Sequence, residues 1–326
     1  MREYLGGMLL GLRRGAKSPL DSYSTFSDKG KSSKWLFNGS VLRSFEGGWR
    51  ASQKTPESVG NLLRLCLLGA AMDNCNAVAD GKCLRYRKDW QVAKFDRAHF
   101  EERFQHRVEI VCADLEEFPI PKDSSEIYCG DARRILTTEG RRFKLCVTSP
   151  PYLNSFDYSD VYRPELFLGK FVDSTAELAL IRKSTIRSHV QARWELPERS
   201  SFGPVFSNMI AEVRARSADL WDKKIPTMIQ AYFEDMERIL LRLRRLALPE
   251  AAVWIVVATS AYAGVEVPVD FIIAEIAERS GWYLSEVGVL RHLRSSGQHI
   301  NSLADGIERT LHLRESVVIL KAARCS

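Results

Sequence analysis

The 326-residue sequence has no apolar run approaching the roughly 20 residues needed to span a bilayer, no paired cysteines and no large excess of either charge. The first absence excludes a helical membrane protein. Arg2 with the apolar stretch Leu5 to Leu12 has the outline of a secretory signal, but three glycines interrupt the stretch and Arg13-Arg14 follows it without a small-residue cleavage site. The seven cysteines are odd in number and scattered, with no C-x-x-C pair, which excludes a disulfide-stapled scaffold and a zinc ribbon. They read as reduced core residues of a cytoplasmic protein. Lysine and arginine (47) exceed aspartate and glutamate (41) only modestly, so a polyanionic partner is permitted and not demanded. His292 and His299 have no acid or cysteine at ligand spacing, so neither reads as catalytic or metal-bound, and no metal is expected.

The length suits one large α/β domain, or a domain with an inserted module. Residues 1–60 are expected to form an irregular N-terminal segment, because 13–53 is rich in Ser, Gly and Lys with isolated aromatics. Residues 61–326 are expected to form the α/β domain, with 161–222 as an inserted helical and basic module. Dense leucines predict a helix from Asn61 to Met72. Val108 to Cys112 and Glu126 to Cys129 read as short strands ending in Asp114 and Asp131, and a helical run Ala132 to Leu136 follows the second. Phe143 to Thr148 is the next strand.

Met228 to Leu243 repeats apolar residues at helical spacing, and Pro249 is expected to stop that helix. Ala252 to Ala258 reads as a doubly covered central strand. A helix from Val269 to Arg279 ends at Gly281, a natural C-cap, and Trp282 to Leu290 and Ser316 to Leu320 read as the last strands. This alternation predicts an open, mostly parallel sheet covered on both faces.

The chemistry concentrates where the Phe143 to Thr148 strand ends in Ser149-Pro150-Pro151-Tyr152. An aromatic exocyclic amine is a poor nucleophile, because its lone pair is delocalised into the ring. Acceptors at Ser149 Oγ and the Pro150 carbonyl can draw such an amine toward tetrahedral geometry, and two prolines fix φ and preorganise them. Tyr152 can stack on the base once it has left the duplex, worth about 1–3 kcal/mol. Ligands of open α/β sheets bind at the carboxyl ends of strands. The basic run from Arg182 to Arg199, with Arg182, Lys183, Arg187 and Arg193, is a candidate phosphate contact, and Ser295 to His299 a candidate backbone contact.

The block Phe143 to Gly169 resembles motif IV of the DNA amino-methyltransferases, enzymes of restriction-modification and related systems that use S-adenosylmethionine. Its Ser-Pro-Pro-Tyr form resembles the cytosine-N4 branch; adenine-N6 or RNA base methylation is the alternative. The resemblance implies a Rossmann-like methyltransferase sheet, with Ser149, Pro150 and Pro151 at the amine and Tyr152 at the base. It also places Gly130 and Asp131, which resemble motif III, and Thr148 on the side of the methyl donor. Pro249-Glu250-Ala251-Ala252 stands where relatives usually have Pro-Gly-Gly.

A larger departure is the glycine-rich turn with which such enzymes hold the donor. Leu5-Gly6-Gly7-Met8 and Phe45 to Trp49 are the nearest strings, and both read as plain loop glycines. The first strands of the sheet are therefore expected to be missing and a second polypeptide to supply the donor half. The other reading is a catalytically degenerate, nucleic-acid-binding subunit of a larger assembly.

Overall fold

The computed structural model describes residues 1–30, 32–80, 83–92, 94–119, 126–135, 142–293 and 311–322, in two compact units. One holds Met1–Glu126 and Tyr158–Leu178; the other holds Ile127–Asp157 and Ala179–Ser326. This division differs from the expected one. No boundary falls at residue 60, and the stretch expected as a single inserted module is shared between the units. Among the described residues no helix is long and apolar enough to cross a membrane.

The first unit is mainly helical: α1 (Leu5–Arg14), α2 (Gly39–Ser52), α3 (Glu57–Asp73) and α4 (Arg97–Glu117), with the short antiparallel pair β1 (Ala77–Ala79) and β2 (Leu84–Tyr86). Two corrections follow. The glycines of Leu5-Gly6-Gly7-Met8 and Phe45 to Trp49 lie inside α1 and α2, and 1–60 is not irregular throughout. Glycine there permits helix contact: a Cβ on Gly11 would stand 2.7 Å from Ala51 Cβ and 2.8 Å from the Gly47 carbonyl oxygen. Between the helices, Phe26 and Phe37 are fully buried and hold the turns to the core.

The second correction concerns Val108 to Cys112, which is helical. Phe100, Phe104, Val108 and Cys112 recur every four residues and are all buried, so the stripe is that of a helix and outweighs the local β propensity. Asp96 caps the helix by accepting from the His99 N–H at 3.1 Å. Asp114 consequently sits on α4 and ends no strand.

The second unit carries the sheet. Its strands are β3 (Phe143–Thr148), β4 (Ala247–Ala258), β7 (Trp282–His292) and β8 (Arg314–Ala322), with a small hairpin of β5 (Ser260–Tyr262) and β6 (Val265–Val267). The order is β3-β4-β8-β7, with β3 parallel to β4 and the other pairs antiparallel. The fold is α/β with a mixed sheet, which corrects the mostly parallel expectation. β3 lies at one edge.

Residues of β4 alternate. Val253, Ile255 and Val257 are buried with Val318 and Leu320 of β8, against helices Ile225–Leu246 and Val269–Arg279. Trp254 on the opposite face is 44% exposed, and Leu145 and Val147 of β3 are 58% and 65% exposed. The sheet is therefore covered on one face only, and β4 is not the doubly covered strand its apolar run suggested.

Pro249 does not stop the long helix, which ends at Leu246 and passes directly into β4. The ladder skips from the Phe143–Ala247 pair to the Leu145–Ala252 pair, and Pro249 sits in that irregular stretch, where its missing N–H costs no bond. Glu250 there adopts φ +62°, a left-handed conformation that favours glycine. Gly281 ends the second covering helix at φ +83°. Glu126 to Cys129 forms no strand.

Candidate functional site: the turn at the end of β3

β3 pairs with β4 as far as Thr148, which faces Ile255, and the chain then enters Ser149-Pro150-Pro151-Tyr152 at the strand's carboxyl end. Ser149 is exposed and Pro150 buried. Leu153, fully buried, anchors the turn. Its carbonyl accepts hydrogen bonds from the Tyr262 hydroxyl at 3.0 Å and from the Ser260 hydroxyl, so the turn is pinned to the β5–β6 hairpin.

The Tyr152 phenol donates to Glu315 Oε1 on β8 at 2.6 Å, and Arg291 on β7 grips the same carboxylate, with Nε to Oε2 at 2.7 Å. A carboxylate can only accept, so the Tyr152 O–H donates to Glu315. The exposed Ser149 hydroxyl, whose influence on the phenol is to lower its pKa, carries lone pairs that can accept. Burial and then the bond to Glu315 push the Tyr152 phenol above its ordinary range, keeping it a donor. The bonds from Arg291 and Tyr152 hold the Glu315 carboxyl below the usual carboxylate range. Glu315 and Arg291 escape sequence reading because strand pairing alone brings them to the turn.

The residues expected on the donor side do not assemble into a cradle. Asp131 is engaged by its own neighbour: Arg133 Nε and Nη2 each reach one carboxylate oxygen at 2.9 Å, and the Arg133 N–H donates at 2.9 Å. Burial opposes its ionisation, but these bonds keep its carboxyl below the ordinary range. Gly130 lies in a bend outside any strand, and Thr148 ends β3. Among the described residues, no turn leading from a strand into a helix contains a glycine. Among the described residues, Gly130, Asp131 and Thr148 do not by themselves form a site that fits S-adenosylmethionine.

The four basic candidates separate. Arg187 is buried, its guanidinium held by Asp235 at 2.7 Å and Glu234 at 2.6 Å, which corrects its assignment as a phosphate contact. Arg182 is paired with Asp157 at 2.7 Å. Lys183 and Arg193 are exposed. Ser295 to His299 lies outside the described residues.

The mixed sheet with a Ser-Pro-Pro-Tyr turn at the carboxyl end of a parallel strand agrees with the resemblance to DNA methyltransferases, which take their methyl group from S-adenosylmethionine, and the curated relatives bear that resemblance out. No protein-family model matches the chain. Among curated proteins it is similar to the type II methyltransferase M.AvaI of Nostoc sp. (strain PCC 7120) and of Anabaena variabilis, 24% identical over 261 residues that cover 71% of this chain and 53% of the relative. It is also similar to the type II methyltransferase M.BsoBI of Geobacillus stearothermophilus, 28% identical over 196 residues, 54% of this chain and 38% of that protein. The chain thus spans about half the length, or less, of the curated relatives it matches. Two crystal structures of a protein described as a DNA modification methylase from Thermus thermophilus cover 60% of the chain at 14% and 15% identity, with TM-scores of 0.29 and 0.31, a likeness too loose to bear on the fold.

Proposed function

We propose that this chain is the base-binding half of an S-adenosylmethionine-dependent DNA amino-methyltransferase acting on cytosine N4. The carrying observation is the Ser149-Pro150-Pro151-Tyr152 turn at the carboxyl end of β3, pinned through Leu153 to the β5–β6 hairpin and through Tyr152 to Glu315. It fixes a rigid acceptor at a strand end, where an exocyclic amine can give up hydrogen-bonded hydrogens and localise its lone pair. The Pro150 carbonyl serves as the second acceptor, and the Tyr152 ring, held through its hydroxyl, offers a face to a base taken out of the stack.

The donor half is supplied by another polypeptide segment. Two observations support this: Asp131 is already engaged by Arg133, and β3 is an edge strand with exposed apolar side chains. Edge strands are normally paired or covered. The self-contained Asp131 also favours the second reading, a subunit that binds nucleic acid and transfers no methyl group.

Co-expression with the neighbouring reading frame, followed by mass spectrometry of nucleosides from host DNA, separates these readings without knowledge of the target sequence. The expected product is N4-methylcytosine, lost with Ser149→Ala. Tyr152→Phe keeps the ring and removes the bond to Glu315, and should lower the rate about tenfold, the order of one net hydrogen bond. N6-methyladenine would move the assignment to the adenine branch. No methylated base from a folded complex would favour the degenerate reading.

A further inference from the structure

The second unit contains a cleft of about 600 Å³ that the turn chemistry does not use. Its floor is fixed by buried carboxylates. Asp235, fully buried, binds both Arg133 at 2.9 Å and Arg187 at 2.7 Å, and Glu234 binds Arg187 from the adjacent position. These guanidiniums are neutralised and immobile, which gives the cleft a rigid base.

The rim is different. Arg134, Lys183, Arg193, Arg238 and Arg242 stand around it beside Trp194, and Glu195 is the carboxylate among the lining residues. Arg134, 87% exposed, reaches Asp131 at 3.8 Å, and Arg238, 47% exposed, reaches Glu234 at 3.4 Å; these longer pairs leave both guanidiniums at the solvent, unlike the buried pairs of the floor. Arg238 and Arg242 lie four residues apart on the Ile225–Leu246 helix, close to its C-terminal end, where the helix dipole favours cations. Trp194 is held by its Nε1 donating to the His189 carbonyl at 2.8 Å. His189 itself is buried, and burial depresses its pKa, so it adds no charge to the rim.

We propose that this cleft is a phosphodiester-binding site that holds the backbone of nucleic acid, with Lys183, Arg193, Arg238 and Arg242 on phosphates and Trp194 against a sugar or base. An excess of exposed cations on a preorganised base is the physical signature of a polyanion site. The proposal rests on the DNA-methyltransferase reading and deepens it by locating the DNA phosphates. It replaces Arg182 and Arg187 with Arg238 and Arg242, which the sequence presented only as the polar face of an amphipathic helix.

The test is equilibrium binding of a labelled duplex oligonucleotide across a salt series with full-length protein, without methyl donor, so that it is independent of methyl transfer. Lys183→Gln/Arg193→Gln and Arg238→Gln/Arg242→Gln are compared with Arg279→Gln/Lys321→Gln, which removes the same charge elsewhere in the unit. Circular dichroism confirms folding of each. The cleft variants are expected to lower the slope of log K against log salt by about 0.9 for each phosphate no longer neutralised. An equal change in the control, or an unchanged slope in both cleft variants, overturns the proposal. So does saturable binding of inorganic phosphate that the cleft variants abolish while duplex affinity stays the same, since the site would then take free anions.

Discussion

Ser149, Tyr152 and Glu315 show how a residue's role depends on what it is bonded to. A phenol alone is both donor and acceptor; with its hydrogen committed to the Glu315 carboxylate, the Tyr152 oxygen faces Ser149 only as an acceptor. Asp131 shows the opposite outcome, since most of its acceptor capacity goes to the neighbouring Arg133. Its depressed pKa gives a pH prediction. A carboxylate whose folded pKa lies below the unfolded value stabilises the fold fully above the ordinary carboxylate range near 4, and loses that contribution as pH falls through the folded value. Urea denaturation between pH 7 and pH 3 should therefore show part of the acid destabilisation disappear in Asp131→Asn, which is less stable than the parent at pH 7. Equal acid sensitivity in both proteins would remove Asp131 as a contributor. The Ser-Pro-Pro-Tyr residues were legible as a candidate site because their types and order carry the chemistry. Glu315, 163 residues from Tyr152, was not.

Elements were legible where one periodicity dominated. The helices at Glu57–Asp73, Ile225–Leu246 and Val269–Arg279, and the strands β3, β7 and β8, follow from apolar spacing. Short β-branched runs misled: Val108 to Cys112 looks like a strand in isolation, and only the stripe from Phe100 to Cys112 reveals a helix. Glycines misled for a related reason. Gly6, Gly7, Gly47 and Gly48 read as loop residues, yet all lie inside helices, and Gly47 meets Gly11 where α1 and α2 touch. Gly11→Leu should cost about 1–3 kcal/mol in denaturant titrations, because side-chain volume is forced against Ala51 and the Gly47 carbonyl. The irregular start of β4 offers a gain. Glu250→Gly should stabilise by about 1 kcal/mol, since glycine adopts φ +62° without Cβ crowding. Lower stability of that variant would show that the Glu250 side chain outweighs the backbone strain.

At the scale of the molecule, the question is what lies against β3. Leu145 and Val147 are exposed apolar residues on an edge strand whose end carries the candidate site. Val147→Lys should leave the stability of the purified chain within about 0.5 kcal/mol, as expected for an exposed position, while blocking assembly with the donor-binding segment proposed above. Calorimetric titration of the chain alone with S-adenosylmethionine should show no tight one-site binding. Tight binding would mean that this polypeptide holds the donor unaided.

The sequence by itself determined the turn chemistry, the long amphipathic helices and the resemblance to DNA methyltransferases, because these depend on residue type, order and spacing along one segment. Only the tertiary structure decided that the sheet is covered on one face, that Arg187 is a buried structural cation, that Glu315 holds the Tyr152 hydroxyl, and that Arg238 and Arg242 border a cleft. Those facts depend on which distant residues share a surface. Burial and partner charges set them, and neither is visible until the chain is folded.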